Sequence, residues 1–246
     1  MFFLKAAFCL VFQTAFLFAL LILPYREPEI THSCSWLSKV FKTESIKSVL
    51  VITDKEIINN GLISSLEEVL KDSGAAYALY DNTQANHTVN NIEESLSFYR
   101  KNNCDALIAI GGGSSTDCAK ACGARIAYPQ KTVGQMKGNL RVLRRLPTLI
   151  AIPTTVGTGS EVTLEAIITD SEKQNKYALM RFSLIPHYAV LDAKLTYSLS
   201  PHLTYTTGTD AFTNAVKSYI GRSPNKETPS VSLLAFSMHI KTLCKK

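Results

Sequence analysis

Residues 106–127 read ALIAIGGGSSTDCAKACGARIA. Five apolar residues, Ala106 to Ile110, run straight into Gly111-Gly112-Gly113-Ser114-Ser115, and Asp117 to Ala127 follows with small and apolar residues at helical spacing. A short apolar run bounded by glycines is the mark of a buried strand, and the longer segment behind it reads as a helix. The glycines let backbone come close to a ligand, and the start of a helix offers unpaired N–H groups at the positive end of its dipole. The stretch therefore predicts a strand, a loop that takes a phosphate or pyrophosphate, and a helix. The spacing is not G-x-G-x-x-G, and no Gly-Lys-Ser/Thr follows, so neither the common dinucleotide fingerprint nor a Walker loop is present. The plainer alternative is a tight turn with a serine cap.

Outward from this unit the pattern repeats. Ser48 to Thr53 is a β-branched run ending at Asp54, Ile57 to Asp72 has helical spacing with Gly74 as a stop, and Ala75 to Tyr80 is a second strand. Val89 to Asn102 reads as a helix and Leu149 to Pro153 as a further strand. Strands alternating with helices predict an α/β fold with a mostly parallel sheet covered on both faces. Ala166–Asp170 and Tyr188–Asp192 read as strands joined by a polar loop, an edge region. Beyond Leu203 the text turns helical, with helices expected over Gly208–Ile220 and Ser230–Leu243. The expected organisation is an apolar helix over 1–24, an α/β domain over 25–196, and over 197–246 the beginning of an all-helical domain.

A second polar loop, Pro153-Thr154-Thr155-Val156-Gly157-Thr158-Gly159-Ser160-Glu161, also follows a strand. Its hydroxyls and glycines make a lining rich in hydrogen-bond donors. Two such loops at strand ends match the usual place of ligands in open α/β sheets. Asp54 sits at a third strand end, where a carboxylate accepts from ribose hydroxyls and repels a 2′-phosphate; the competing reading is a simple helix N-cap.

The 246 residues are 46% hydrophobic and 19% charged, with a net charge of +6. That excludes a disordered chain and a multi-span membrane protein. The basic residues do not gather on one motif; Lys131, Lys137, Arg141, Arg144 and Arg145 read as a solvated or subunit-facing segment rather than a nucleic-acid patch. Six cysteines without a CxxC pair argue against a zinc ribbon, and Cys118 and Cys122, four apart on one helix face, read as buried packing thiols. The leader carries a single charge, Lys5, ahead of an apolar run over residues 6–23. It is long enough to contact or span a membrane, resembles a signal peptide without a small-x-small cleavage site, and equally suits an apolar helix packed on the body or a neighbouring subunit of a homo-oligomer.

Four stretches together, Gly111–Lys120, Pro153–Thr163, Val190–Asp192 and Thr207–Tyr219, resemble the iron-dependent alcohol dehydrogenase family in order and spacing over about residues 40–235. The resemblance implies that the α/β domain over 25–196 binds NAD, that the helical domain begun over 197–246 is incomplete, and that a catalytic Fe²⁺ (or Zn²⁺) belongs between them, with a small alcohol or aldehyde as substrate. It places pyrophosphate contacts on Gly112, Gly113, Ser114 and Ser115, with Asp117 beside them. Contacts around the nicotinamide half fall on Thr154, Thr155, Thr158, Ser160, Thr163 and Lys176. Asp54 matches the carboxylate that favours NAD over NADP. Asn86 matches the Asn of a Pro-Asn-Pro-Thr-like turn that here reads Ala85-Asn86-His87-Thr88, without either proline.

The family's metal is held by one Asp and three His, the first two as Asp-x-x-x-His on one helix face. Here that stretch is Asp210-Ala211-Phe212-Thr213-Asn214, so Asp210 is present and Asn214 stands at the His position. A neutral amide is a far weaker ligand for such metals than imidazole. The other two His are expected beyond residue 246, and His32, His87, His187, His202 and His239 do not match the pattern. The resemblance thus implies an NAD-linked alcohol oxidoreductase with impaired metal chemistry; the alternatives are a catalytically silent NAD-binding protein and a membrane-tethered scaffold. The family and the unpaired cysteines point to the cytoplasm.

Overall fold

The computed structural model describes Val11 and residues 26–139, 142, 144–221 and 228–243. The leader predicted as a helix over 1–24 lies, Val11 apart, outside the described residues, as do Cys9, Cys244, Arg141 and the side chain of His239. No helix among the described residues is long and apolar enough to cross a membrane.

In chain order the elements are β1 (Glu29–Thr31), α1 (Leu37–Thr43), β2 (Ser48–Ile52), α2 (Lys55–Asn59), α3 (Ser64–Ser73), β3 (Ala76–Tyr80), α4 (Val89–Lys101), β4 (Ala106–Gly111) and α5 (Gly113–Ala127). Then come β5 (Gly138–Asn139), β6 (Thr148–Pro153), β7 (Glu165–Asp170), β8 (Asn175–Met180), β9 (Tyr188–Val190), α6 (Pro201–Ile220) and α7 (Thr228–Leu243). Six strands form the main sheet in the order β3-β2-β4-β6-β9-β1, and every neighbouring pair is parallel. A small second sheet has the order β5-β8-β7.

The main sheet is covered on both sides, which is why its central strands are continuously apolar rather than alternating. Val49 and Val51 of β2 join Leu37 and Phe41 of α1 and Leu66 and Leu70 of α3 in one core. Leu50 and Ile52 join Ile92 and Leu96 of α4 and Cys118 and Cys122 of α5 in the other. Cys118 and Cys122 are free, wholly buried thiols, and burial pushes Cys122 up to about 12 and Cys118 higher still. They pack the core, as their spacing predicts, and burial disfavours the reactive thiolate.

The expected helix over 57–72 is two helices. Asp54 caps α2 through the Ile57 N–H, and the chain turns at Gly61, where φ is +67°. Apolar spacing hides the break because Ile57, Ile63, Leu66 and Leu70 all enter the same core on either side of it. The helix expected from Asp117 starts earlier, at Gly113, so only Gly111 and Gly112 remain as a turn. The polar loop expected between residues 170 and 188 contains β8, which forms an antiparallel hairpin with β7. Tyr188–Val190 is not its neighbour but lies in the main sheet between β6 and β1.

The winding of the main sheet fixes where a ligand can sit. From β2 the chain moves outward to β3, then crosses back over β2 to β4 on the other side. The carboxyl ends of β2 and β4 therefore flank a topological switch point, the crevice that open α/β sheets use for ligands.

Gly74, at φ +70°, ends α3 in the left-handed conformation, and a methyl added there meets nothing within 4 Å. Gly74→Ala is expected to cost about 1 kcal/mol in urea unfolding, from backbone strain alone. Gly134→Ala, equally open in space but without a positive φ, is expected to stay within roughly 0.5 kcal/mol of the parent.

Candidate functional site

The switch-point crevice is lined on one side by Asp54 after β2 and on the other by Gly112, Gly113, Ser114 and Ser115 at the start of α5. Thr154 and Thr155, after β6, close it from the next strand. Together with residues 83–85 and 198–200 they bound a cavity of about 540 Å³. A second cavity of about 310 Å³ adjoins it across Gly113 and Ser114 and is lined by Asn86, Asp117, Thr158, Ser160, Thr163 and Lys176. All thirteen residues predicted to contact the cofactor thus line one of two connected hollows around the N-terminus of α5.

Small residues are required here for a definite reason. Gly111 has φ +143°, and a Cβ would sit 2.6 Å from Ser115 Oγ. A Cβ on Gly113 would lie 3.1 Å from the Thr158 side chain. Gly157 lets helix α6 approach the second loop so closely that a Cβ would stand 2.6 Å from the Thr207 carbonyl oxygen. The backbone N–H groups at the start of α5 therefore face open space unobstructed, which is the arrangement that binds phosphate groups.

Asp54 fills the capping role read from its position and leaves its second oxygen at the cavity wall. One carboxylate oxygen accepts from the Ile57 N–H at 3.0 Å. The other, Oδ2, lies toward Gly111 at the cavity wall. Asn86 holds φ +59°; its N–H donates to Ser114 Oγ at 3.3 Å and its Oδ1 accepts from Lys176 Nζ at 2.7 Å. The turn without prolines is thus held by side chains, and the Thr88–Asn91 capping box fixes the start of α4 behind it.

Asp117 faces inward. Its carboxylate accepts from Ser160 Oγ in a short hydrogen bond and from the Ile167 N–H at 3.0 Å. One turn on, Lys120 is fully buried, and its ammonium donates to the carbonyls of Thr163 and Glu165, each at 2.8 Å, and to Thr163 Oγ1 at 3.0 Å. Burial lowers the Lys120 pKa to about 8 despite the Asp117 carboxylate, and burial raises that of Asp117. Sequence reasoning missed Lys120 as a positioning residue, because a single Lys in a small-residue helix reads as a solvent-facing position. It also missed His87, which lines the smaller cavity, is 2% exposed and has no partner for Nε2 among the described residues.

Asp210 and Asn214 lie on α6 and line neither cavity. The Asn214 amide N–H donates to the Gly157 carbonyl at 3.3 Å and so ties helix α6 to the second loop. Among the described residues no group of three or more His, Cys, Asp or Glu gathers where a metal could be held. Asp210 alone does not make a tight divalent site, which needs several charged or imidazole donors.

The family model for iron-containing alcohol dehydrogenases matches residues 31–193, about two thirds of the chain and the whole of the main sheet except part of β1. The chain belongs to the iron-containing alcohol dehydrogenase family. It is 35% identical over 206 residues to alcohol dehydrogenase 4 of Schizosaccharomyces pombe, covering 84% of this chain and 49% of that one. It is 33% identical over 208 residues to lactaldehyde reductase of Escherichia coli, covering 84% and 53%. The solved alcohol dehydrogenase from Oenococcus oeni superposes with a TM-score of 0.84 at 31% identity, over 89% of this chain and 58% of that one. The chain thus spans about half the length of the curated relatives it matches.

His87 makes stability depend on pH. Burial, then the Lys176 charge, lowers its pKa from 6.5 to about 4. The unfolded chain therefore binds the proton first, so this contribution is whole above pH 6.5 and is lost as pH falls toward 4, by up to about 3 kcal/mol. Denaturant unfolding from pH 7 to 4 should show this loss, with Asp117 opposing part of it. His87→Gln should flatten the profile by up to one proton; an unchanged slope would mean that His87 titrates freely.

Proposed function

We propose that residues 26–196 bind NAD and serve an oxidoreductase acting on primary or secondary alcohols and their aldehydes or ketones. The observation that carries this reading is the glycine-walled N-terminus of α5 at the switch point, with a carboxylate on one side and an amide–ammonium pair on the other. The backbone N–H groups of Gly112 to Ser114 and the hydroxyls of Ser114 and Ser115 would hold the pyrophosphate. Asp54 Oδ2 would accept from the adenosine ribose and repel a 2′-phosphate. Thr154, Thr155, Thr158, Ser160 and Thr163 would line the nicotinamide half, with Lys176 kept in place by Asn86. When bound, NAD supplies the hydride acceptor; the chain's own groups orient it.

The metal half of the family's chemistry does not fit these donors. Asn214 stands where the motif calls for His, and a neutral amide oxygen is a far weaker ligand than imidazole. We therefore read residues 1–246 as competent to bind the dinucleotide and impaired in turnover. Buried free thiols support a reducing compartment, and we place the protein in the cytoplasm. Membrane contact through residues 6–23 is the competing reading, and recovery wholly in the membrane fraction would establish it.

Calorimetric titration of the purified chain is expected to show saturable NAD⁺ binding with at least about tenfold weaker NADP⁺ binding. Asp54→Ala should narrow that gap and cost about 1 kcal/mol of stability through the lost cap. Metal analysis and alcohol-dependent NADH formation on the same sample are expected to be negative. Robust metal-dependent NADH production would overturn the impaired reading while leaving NAD binding intact, and absence of binding to either dinucleotide would overturn the whole.

A further inference from the structure

The opposite edge of the main sheet, at the amino-terminal ends of its strands, carries a cluster that the dinucleotide site does not use. A cavity of about 310 Å³ there is lined by Arg26, Arg145, Leu146, Arg181, Phe182, Ser183 and His187. Its basic residues come from four places in the sequence: just before β1, just before β6, just after β8 and just before β9.

Three arginines line one hollow, and among the described residues no carboxylate lines it. Arg181 is only 9% exposed, and its guanidinium has no hydrogen-bond or ion-pair partner among the described residues. Its backbone is fixed at both ends, with its N–H donating to Leu164 and its carbonyl accepting from Leu184, so the side chain does not reach this place through a loose loop. Arg26 is anchored by donating to the Ile185 carbonyl. His187 Nδ1 accepts from the Leu149 N–H at 3.1 Å, which leaves Nε2 to carry the proton as a donor. The nearest acidic group acting on Arg26 is Glu44, which is engaged by the Tyr188 hydroxyl.

Arginines do not shed their protons, so three of them lining one hollow favour an anion in it. Burial and the charges of Arg26 and Arg145 keep the His187 imidazole neutral, with a pKa lowered to about 3. The donors available here are therefore those of three arginines and one neutral imidazole N–H. Guanidinium forks match the paired oxygens of carboxylate and phosphate.

We propose that Arg26, Arg145, Arg181 and His187 form a second ligand site, separate from the dinucleotide crevice, for a small multiply charged oxyanion, either a phosphate ester or a polycarboxylate. The cavity admits a group of that size and excludes a whole nucleotide cofactor. Because the site lies at the far edge of the sheet, it does not depend on the proposed NAD binding.

Inorganic phosphate and, separately, citrate are titrated into the whole chain at ionic strength held constant with chloride, read by thermal unfolding and calorimetry. The expected result is a saturable rise in Tm with one or both and none with chloride. A response to phosphate alone marks a phosphate-ester site, and a stronger response to citrate marks a polycarboxylate site. Arg181→Met and the exposed Arg145→Gln should each weaken binding by about tenfold or more. Gly113→Ala, which crowds the other anion-binding place at α5, should leave it unchanged. The proposal is overturned if wild type shows no response beyond chloride, if Arg145→Gln binds as wild type does, or if only Gly113→Ala abolishes the response.

Discussion

The ammonium of Lys120 ties the site together. It sits wholly inside the protein, and its donors go to two backbone carbonyls and a hydroxyl at Thr163 and Glu165, where the second loop enters β7. One turn earlier on α5, Asp117 reaches the same segment through Ser160 and Ile167. These contacts fasten the 158–167 stretch across the first turns of the helix whose N-terminus faces the crevice. A loop with Gly157 and Gly159 in it has little stiffness of its own. Burying a cation is unfavourable, as the lowered Lys120 pKa records, and it is tolerated because its protons find close acceptors. Removing one partner from such a buried set typically costs about 3–5 kcal/mol, so the shape of the smaller cavity and the stability of the domain depend on the same group.

The parallel sheet then separates two chemistries by direction alone. All six strands point the same way, so the N-terminus of α5 and its glycine turn lie at one edge, where backbone N–H groups can meet an anion. At the other edge the positive charge around the hollow there is supplied by side chains, Arg26, Arg145 and Arg181. Helix α6 meets the first edge through Gly157 and Thr207, and Asn214 reinforces that contact at the position where the family motif carries a ligand. Rings of Phe212 and Phe236, with centroids 5.0 Å apart, pack α7 onto α6. Membership of the iron-containing alcohol dehydrogenase family accounts for the crevice; it does not by itself supply a metal to these residues.

How much of this was legible in the sequence depended on burial. The β4–α5 unit could be read directly because both elements are buried and leave a continuous apolar text broken only by glycines. Asp54 and the second loop followed because strand ends and hydroxyl runs have local signals. The break at Gly61 was hidden, since residues on both sides enter one core, although Asn59-Asn60-Gly61 carried a turn signal. Strands β1, β5 and β8 were illegible: β1 and β5 are only three and two residues long, and all three carry charged or polar residues such as Glu29, Asn139 and Lys176. Lys120 could not be assigned from the sequence because its acceptors lie 43 and 45 residues away. The arginine cluster is assembled from segments spread over residues 26–187 and has no local pattern at all.

The central claim is that the backbone at the start of α5 and the loop fastened over it hold a dinucleotide. Hydrogen–deuterium exchange with and without NAD⁺ tests it directly, since a bound pyrophosphate must protect the N–H groups it engages. The account predicts strong slowing confined to peptides covering residues 111–118 and 154–163, with a smaller effect around Asp54 and Asn86. Slowing elsewhere with none in those segments, under conditions where NAD⁺ is bound, would contradict it.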